Sequence, residues 1–400
     1  MKVLVVAPQP FFSWRGTPFS VYYRTSVTCE LGHEADILAY GQGMDVDIPG
    51  CRIVRVPAFR WLGAVKTGPS AFKLFLDIFM VIWTIGMLLR RRYDVVHAHE
   101  EAVFWCRWLK PIFRFRLIYD MHSSLPQQLH NFEFTKLRFI HWLFEKLETS
   151  AVRASDAVIA ICPALSDYAR TLTDDHHKIL LIENSIFEPV RVRDAGPKAG
   201  PQAADAGVMR ALEDWLAARP AERVIAYAGT LETYQGIDKM IESFALVARQ
   251  MPDAGLLIIG GQPHQVEACR RLVESLGITQ QVFLTGQLPQ SEAQRLVGMA
   301  AACVSPRFSG DNTPLKIYQL MASGVPMIAT RIESHTQVLN DEISTLTGVS
   351  TEELAAGMRE VLVEPGGARA KAERARAWYE EYYSRPVYMN KMRALFALVS

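Results

Sequence analysis

The sequence has no Cys-x-x-Cys pair, no Gly-x-Gly-x-x-Gly loop and almost no charge imbalance. Lys plus Arg number 43 and Asp plus Glu 42, which gives no case for a nucleic-acid partner. The six cysteines, Cys29, Cys51, Cys106, Cys162, Cys269 and Cys303, are scattered and read as reduced thiols of a cytosolic protein. The opening residues MKVLVVAPQP lack a charged leader, a long apolar region and a small-residue cleavage site, so they read as a strand and not as a signal peptide. The longest uncharged apolar run, Ile78 to Leu89, has 12 residues. A spanning helix needs about 20, so no transmembrane segment is expected. No internal repeat of fixed period is present.

What the chain does have is length and apolar content. Its 400 residues are half hydrophobic, enough for about two domains with sizeable cores. Short apolar runs alternate with helical patterns. The first set is Val3–Ala7, Ile37–Tyr40, Val95–His97, Leu117–Tyr119, Ala157–Ile161 and Ile179–Ile182. The second is Val224–Ala228, Leu256–Ile259, Val282–Thr285, Ala302–Ser305 and Met327–Thr330. Strands buried on both faces and separated by helices imply parallel sheets. The expected fold is α/β, two doubly wound Rossmann-like domains facing across a cleft. The domains are residues 1–190 and 211–375, with an Ala/Gly/Pro-rich linker at 191–210 and a C-terminal helix at 376–400 that packs back on the first domain.

The stretch from Ser305 to Thr330, SPRFSGDNTPLKIYQLMASGVPMIAT, reads as strand end, loop, helix and strand. Thr313 is expected as the N-cap, with Pro314 at the first helical position and Gly324 as the left-handed stop. The free N–H groups at Leu315 and Lys316 make an anion site, and Arg307 and Lys316 add formal charge suited to a diphosphate. Gln319 lies within reach of a ribose hydroxyl. After the first strand, Gly16-Thr17-Pro18 repeats the pattern of cap and first-turn proline, with Gly16 allowing close approach of substrate to the backbone.

These pieces resemble the GT4-type retaining glycosyltransferases of the GT-B fold over nearly the whole chain. The resemblance is carried by LGHEADIL, YDVVHAH, LIYDMHSS, ILLIENSIF, IAYAGTLETYQGIDKMIESFALV, LLIIGGQP, VFLTGQLP and, most specifically, the Ser305–Thr330 stretch. It implies transfer of a sugar from a nucleotide-diphosphate donor to an acceptor with retention. The donor lies on the second domain and the acceptor on the first, with no metal or other cofactor required. It implies catalytic roles for His122 and Asp311. Donor binding falls to Gly16, Gly229, Thr230, Gly260, Arg307, Asn312, Thr313, Pro314, Leu315, Lys316 and Gln319. Arg15, Thr17 and Asp120 take the acceptor side. Two family glutamates are replaced here by Asp311 and Gln319, and a basic pair after the first strand of the second domain by Thr230 and Gln235. Arg307 and Lys316 stand in for that pair.

His97 and His99, beside Glu100 and Glu101, allow a metal cluster, but the expectation is a strand end whose polar residues meet solvent. His176 and His177 read as a solvated loop, and Asn184, Ser185 and Glu188 as hinge residues. From Arg52 to Arg116 there are twelve Lys/Arg against four Asp/Glu, interleaved with aromatics such as Trp61, Trp83, Trp105 and Trp108. Such a surface suits anionic lipid, with Phe72–Leu89 in the interface. The expected acceptor is a saccharide or lipid-linked saccharide of polysaccharide or glycolipid biosynthesis, and the expected place is the cytoplasm, peripheral to the membrane. The alternatives are another GT-B enzyme, a sugar-nucleotide epimerase or phosphorylase, and a non-catalytic nucleotide-sugar-binding protein.

Overall fold

The structure, a computed structural model, describes residues 1–13, 16–58, 71–124, 138–186, 190 and 206–400. Arg15, Arg60, Trp61, Lys66, Glu188 and most of the expected linker lie outside these residues. The described chain forms two compact units, Met1–Asp194 with Arg385–Ser400, and Ala195–Ser384.

The first unit is built on seven strands: β1 (Lys2–Ala7), β2 (Glu34–Ala39), β3 (Cys51–Arg55), β4 (Val95–His99), β5 (Arg116–Met121), β6 (Ala157–Ala160) and β7 (Ile179–Leu181). Their order is β3-β2-β1-β4-β5-β6-β7, and every pairing is parallel. Its helices are α1 (Gly16–Glu30), α2 (Ala71–Arg90), α3 (Ala102–Phe113), α4 (Arg138–Ala154) and α5 (Pro163–Thr171). The apolar runs of β1, β4, β5 and β6 are buried throughout or nearly so, which is why they carry no alternation. One layer of core packs Leu76, Met80, Val103 and Val152 against one sheet face. On the other face Val21, Val27, Met392 and Leu395 close the second layer.

The second unit has strands β8 (Val224–Ala228), β9 (Gly255–Ile259), β10 (Val282–Gly286), β11 (Ala302–Ser305), β12 (Met327–Thr330) and β13 (Thr345–Thr347). They run parallel in the order β10-β9-β8-β11-β12-β13. Its helices are α6 (Ala206–Ala217), α7 (Ile237–Gln250), α8 (Pro263–Ser275), α9 (Gln290–Met299), α10 (Leu315–Ser323), α11 (Glu333–Thr336), α12 (Thr351–Val363) and α13 (Pro365–Tyr382). The last helix, α14 (Arg385–Leu398), belongs to the first unit. Arg385 ties it to Glu30 at 2.7 Å, and Lys391 to Glu183. Both units are doubly wound α/β folds, whose strand order reverses once, between β1 and β4 and between β8 and β11. Ligands in such sheets bind beyond the carboxyl ends of strands at that reversal.

Several expectations need correcting. A boundary after residue 375 falls inside α13, an Ala-rich helix that runs on to Tyr382 before Arg385-Pro386 restarts the chain. The last residues of the expected linker are already helical, since α6 starts at Ala206. Strands β3 and β13 were not anticipated, because both are short sheet-edge strands with polar residues interspersed. The apolar segment is also longer than its uncharged run. Residues Phe72–Arg90 form a helix long and apolar enough to cross a membrane, with mean hydropathy 2.0. The two charges that interrupt it turn inward. Lys73 pairs with Glu101 at 2.8 Å, and the Asp77 carboxylate accepts the Tyr40 hydroxyl at 2.6 Å. Burial raises the Asp77 carboxyl to about 7. With Leu76, Met80 and Leu88 in the core, α2 is a covering layer of the sheet. Its outward stripe is apolar: Leu74 is 70 %, Ile78 58 %, Ile82 53 % and Leu89 72 % exposed.

Candidate active site

In the second unit the candidate residues gather at the reversal. The loop after β8 carries Gly229 and Thr230, and the loop after β11 carries Arg307 to Thr313. Gly260, after β9, has φ +116, and a Cβ there would lie 2.1 Å from the Gly229 carbonyl oxygen. Only glycine permits that approach, which lets the backbone of two strand ends close up. The Tyr227 hydroxyl donates to the Thr230 carbonyl at 2.6 Å and fixes the loop.

α10 begins one residue later than its sequence suggests. Pro314 is extended, with φ −64 and ψ 134, and is itself the N-cap, so Leu315 is the first helical residue. Thr313 does not cap: its Oγ1 is buried without a partner. The reason is that Pro314 keeps an extended ψ of 134, so the helical backbone starts only at Leu315. Gly324, with φ 67, ends the helix as expected. The first-turn N–H groups of Leu315 and Lys316 have no intrahelical acceptor.

Lys316 is the most informative side chain. Its Nζ is buried and has no hydrogen-bond partner among the described residues. It sits 4.2 Å over the Tyr227 ring, and 3.6 Å from where a Gly229 Cβ would be. Burial pushes its ammonium down to about 8. Arg307 lies 5.0 Å over the Tyr234 ring, and its Nη1 donates to the Asn312 carbonyl at 2.9 Å. Burial lowers this guanidinium too. Asp311 partly offsets the Arg307 charge, but the buried, unpartnered Lys316 ammonium is costly unless an anion arrives. Asp311 is exposed, its carbonyl accepting from Gln337 at 2.7 Å, and Gln319 is half-buried on α10. The structure thus brings Gly229, Gly260, Arg307, Asn312 and Lys316 together, with Thr230, Thr313, Pro314 and Leu315 in the adjoining loops. The Asp311 carboxylate acts electrostatically on Arg307 and so lies beside that group. His335 was overlooked: its Nε2 lies 2.9 Å from the Ser305 Oγ and its Nδ1 2.8 Å from the Thr330 carbonyl, linking the ends of β11 and β12.

In the first unit, the expectation that His97 and His99 meet solvent is overturned. Both are buried, and their rings stack at 4.6 Å because alternate strand residues share a face. Asp120 lies beside them in register on β5. Its Oδ2 is 3.0 Å from Arg24 Nε and 3.0 Å from His97 Nε2. His99 Nδ1 is 3.1 Å from His122 Nε2. Burial alone would raise the Asp120 carboxyl, but Arg24 and the histidines hold it well below the usual range. Burial pushes His122 down to about 4 and His99 well below its ordinary value, so both rings are neutral near pH 7.

Arg24 was missed altogether. It is 0 % exposed, and its Nη2 donates to the Ile182 carbonyl at 2.9 Å and to Asn184 Oδ1 at 3.3 Å. A cation one turn after Ser20 on the inward face of α1, bonded to the Ser20 Oγ at 3.0 Å, was the available signal. His97, His99 and Asp120 have ligand atoms within 4.8 Å of one another, the spacing of a metal site. The guanidinium on the same Asp120 oxygen disfavours a divalent cation there. Gly16 is the first residue of α1, so Thr17 lies inside the helix and is not its cap. Arg15 is outside the described residues.

The two doubly wound units define a GT-B architecture. Residues 28–185 match the family described as glycosyl transferase 4-like domain, and residues 212–380 that described as glycosyl transferases group 1. The chain belongs to this GT4-type family and is a glycosyltransferase. It is 29% identical over 163 residues to a GDP-mannose-dependent alpha-(1-6)-phosphatidylinositol monomannoside mannosyltransferase of Mycolicibacterium smegmatis, covering 39% of this chain and 42% of that protein. It is 23% identical to a phosphatidyl-myo-inositol mannosyltransferase of Propionibacterium freudenreichii, covering 86% of this chain and 80% of the relative. Anabaena HepE, solved in complex with UDP, superposes with a TM-score of 0.70 at 13% identity, over 99% of this chain and 100% of that one. At that identity the likeness concerns the fold.

Proposed function

We propose that the protein moves a sugar, with retention, from a nucleotide-diphosphate donor held in the second unit to a hydroxyl of a lipid-linked acceptor. The unpaired, buried Lys316 ammonium at the start of α10 carries this reading. It needs an anion, and the N-terminal N–H groups of α10 and the Arg307 fork supply what a diphosphate requires. In the reaction the acceptor oxygen bonds to the anomeric carbon as the carbon–diphosphate oxygen bond breaks. The acceptor proton passes to the departing phosphate oxygen on the same face. Lys316 and Arg307 then stabilise charge that grows on that leaving group, which is electrostatic work by preorganised donors. No metal or other cofactor is needed for these steps. Asn312, Thr313, Pro314 and Leu315 shape the phosphate loop, Gly229, Thr230 and Gly260 let the nucleotide approach, and Gln319 reaches the ribose. Asp311 faces the sugar. Neutral His122 hydrogen-bonds a hydroxyl, in the orientation that Asp120 and His99 impose, and Thr17 opens the acceptor side.

Two relatives are named for transfer to phosphatidylinositol lipids, which supports a glycolipid acceptor. The outward apolar stripe of α2, which ends at the exposed Arg90 with Arg92 exposed just beyond, suits an anionic bilayer. The protein is then cytoplasmic and peripheral to the membrane, with the acceptor supplied from that surface. Calorimetry with UDP, GDP and ADP and their common sugar conjugates, on wild type and Arg307→Ala, tests the donor site. One nucleotide should bind, and the variant should lose it. Absence of any binding, or equal binding by the variant, would overturn the reading.

A further inference from the structure

A second set of cations lies at the other end of the first sheet. A depression of about 630 Å³ is lined by Arg107, Lys110, Arg114, Phe115, Arg116 and Ala154. It is placed by the C-terminal end of α3, the last turn of α4 and the first residue of β5. The Asp156 carboxylate beside it is already engaged. Asp156 accepts from Lys110 at 2.7 Å, from Arg116 at 3.2 Å and from the Leu117 N–H at 2.7 Å. Lys110 also donates to the Ala154 carbonyl at 2.7 Å, so part of its role is to close the end of α4.

That account leaves two arginines over. Arg107 uses Nη1 on the Leu147 carbonyl at 3.2 Å and lies 5.1 Å over the Trp108 ring, but its Nε is buried without a partner. The Arg114 side chain is exposed and has no ion pair among the described residues. Its backbone is left-handed, with φ 57, where glycine is the usual occupant. Lys178, nearby, donates to the Arg153 and Ser155 carbonyls, and its ammonium is lowered by burial, with Asp175 and Asp156 opposing the shift and Lys110 and Arg153 adding to it. Among the described residues, Arg107 Nε and the exposed Arg114 guanidinium are therefore left without a partner.

We propose that this depression binds a phosphate group, gripped by the Arg107 and Arg114 forks with Lys110 and Arg116 behind them. Paired guanidinium planes match the geometry of phosphate oxygens. The same chemistry is offered by a phospholipid headgroup and by a soluble phosphate ester. Trp108 and Ile112, each 69 % exposed on the same helix, flank the site with apolar surface. The site is at the N-terminal end of β5, whereas Asp120 and His122 are at its C-terminal end. It is thus separate from the proposed sugar-transfer residues, and its failure leaves that reading standing.

The test uses the full chain, wild type and Arg107→Gln/Arg114→Gln, with Arg114→Gln alone as a milder variant that leaves α3 packing untouched. Inorganic phosphate and glycerol phosphate are titrated by calorimetry against chloride at matched ionic strength. In parallel, the proteins are sedimented with vesicles of phosphatidylglycerol in phosphatidylcholine and of phosphatidylcholine alone. Wild type should bind phosphate beyond the chloride control, and the double variant should bind about thirtyfold more weakly, as two surface cations are worth. A matching fall in retention on the phosphatidylglycerol vesicles assigns the phosphate to lipid. Unchanged retention with lost phosphate binding assigns it to a soluble ester. Wild-type binding no better than chloride, or variants that bind as wild type, would overturn the proposal.

Discussion

Lys316→Met is expected to make the protein more stable and to weaken the proposed nucleotide binding. The ammonium falls from 10.5 to about 8 on burial. At about 1.4 kcal/mol per pKa unit, keeping it charged costs the folded state about 3 kcal/mol. Methionine fills nearly the same volume over the Tyr227 ring and removes that cost. The gain should depend on pH in a defined way. Below pH 8 the lysine is charged in both folded and unfolded chains, and the whole penalty stands. Between pH 8 and 10.5 the folded protein has released a proton that the unfolded chain keeps, so the penalty fades as pH rises. Urea denaturation of both proteins at pH 7 and pH 10 reads this directly. The gap should be near 3 kcal/mol at pH 7 and much smaller at pH 10. Nucleotide affinity should move the other way, falling about tenfold to a hundredfold with the loss of one charged hydrogen bond. A variant that is less stable than wild type at pH 7 and binds nucleotide as well would refute the assignment of Lys316 to an anion site.

Three further outcomes follow from packing and charge. Gly260→Ala should lose about 3 kcal/mol or more in urea denaturation, because its Cβ would meet the Gly229 oxygen at 2.1 Å and its φ of +116 is strained for alanine. His335 and His122, each pushed by burial from 6.5 to about 4, should make stability fall as pH drops from 6.5 toward 4; the unfolded chain takes up protons there that the folded one refuses, and His335→Gln should flatten that slope in a pH series of denaturant melts. Asp120→Asn should cost about 3–5 kcal/mol by leaving Arg24 buried without its carboxylate, whereas pairing it with Arg24→Met should recover much of the loss in a double-mutant cycle.

The parallel-sheet architecture was legible because buried strands must be apolar on both faces, and runs such as Val3–Ala7 and Ala302–Ser305 announce this without help from the rest of the chain. The start and stop of α10 were legible to within one residue for a related reason. Pro314, Lys316 and Gly324 act locally, through a missing N–H, a charge near a helix start and a left-handed stop. The failures have the opposite character. His97 and His99 look like a polar strand end until Asp120, twenty-odd residues on, pairs beside them and Arg24 arrives from α1 to neutralise the carboxylate. Lys73 and Asp77 look like breaks in an apolar run until Glu101 and Tyr40 take them inward. In each case the sign of a residue's environment is set by a partner distant in sequence. A charge can interrupt an apolar pattern and still face the core, and the surface it vacates is then left to Leu74, Ile78, Ile82 and Leu89. This inversion is why the apolar face of α2 turns outward although Lys73 and Asp77 interrupt its uncharged run.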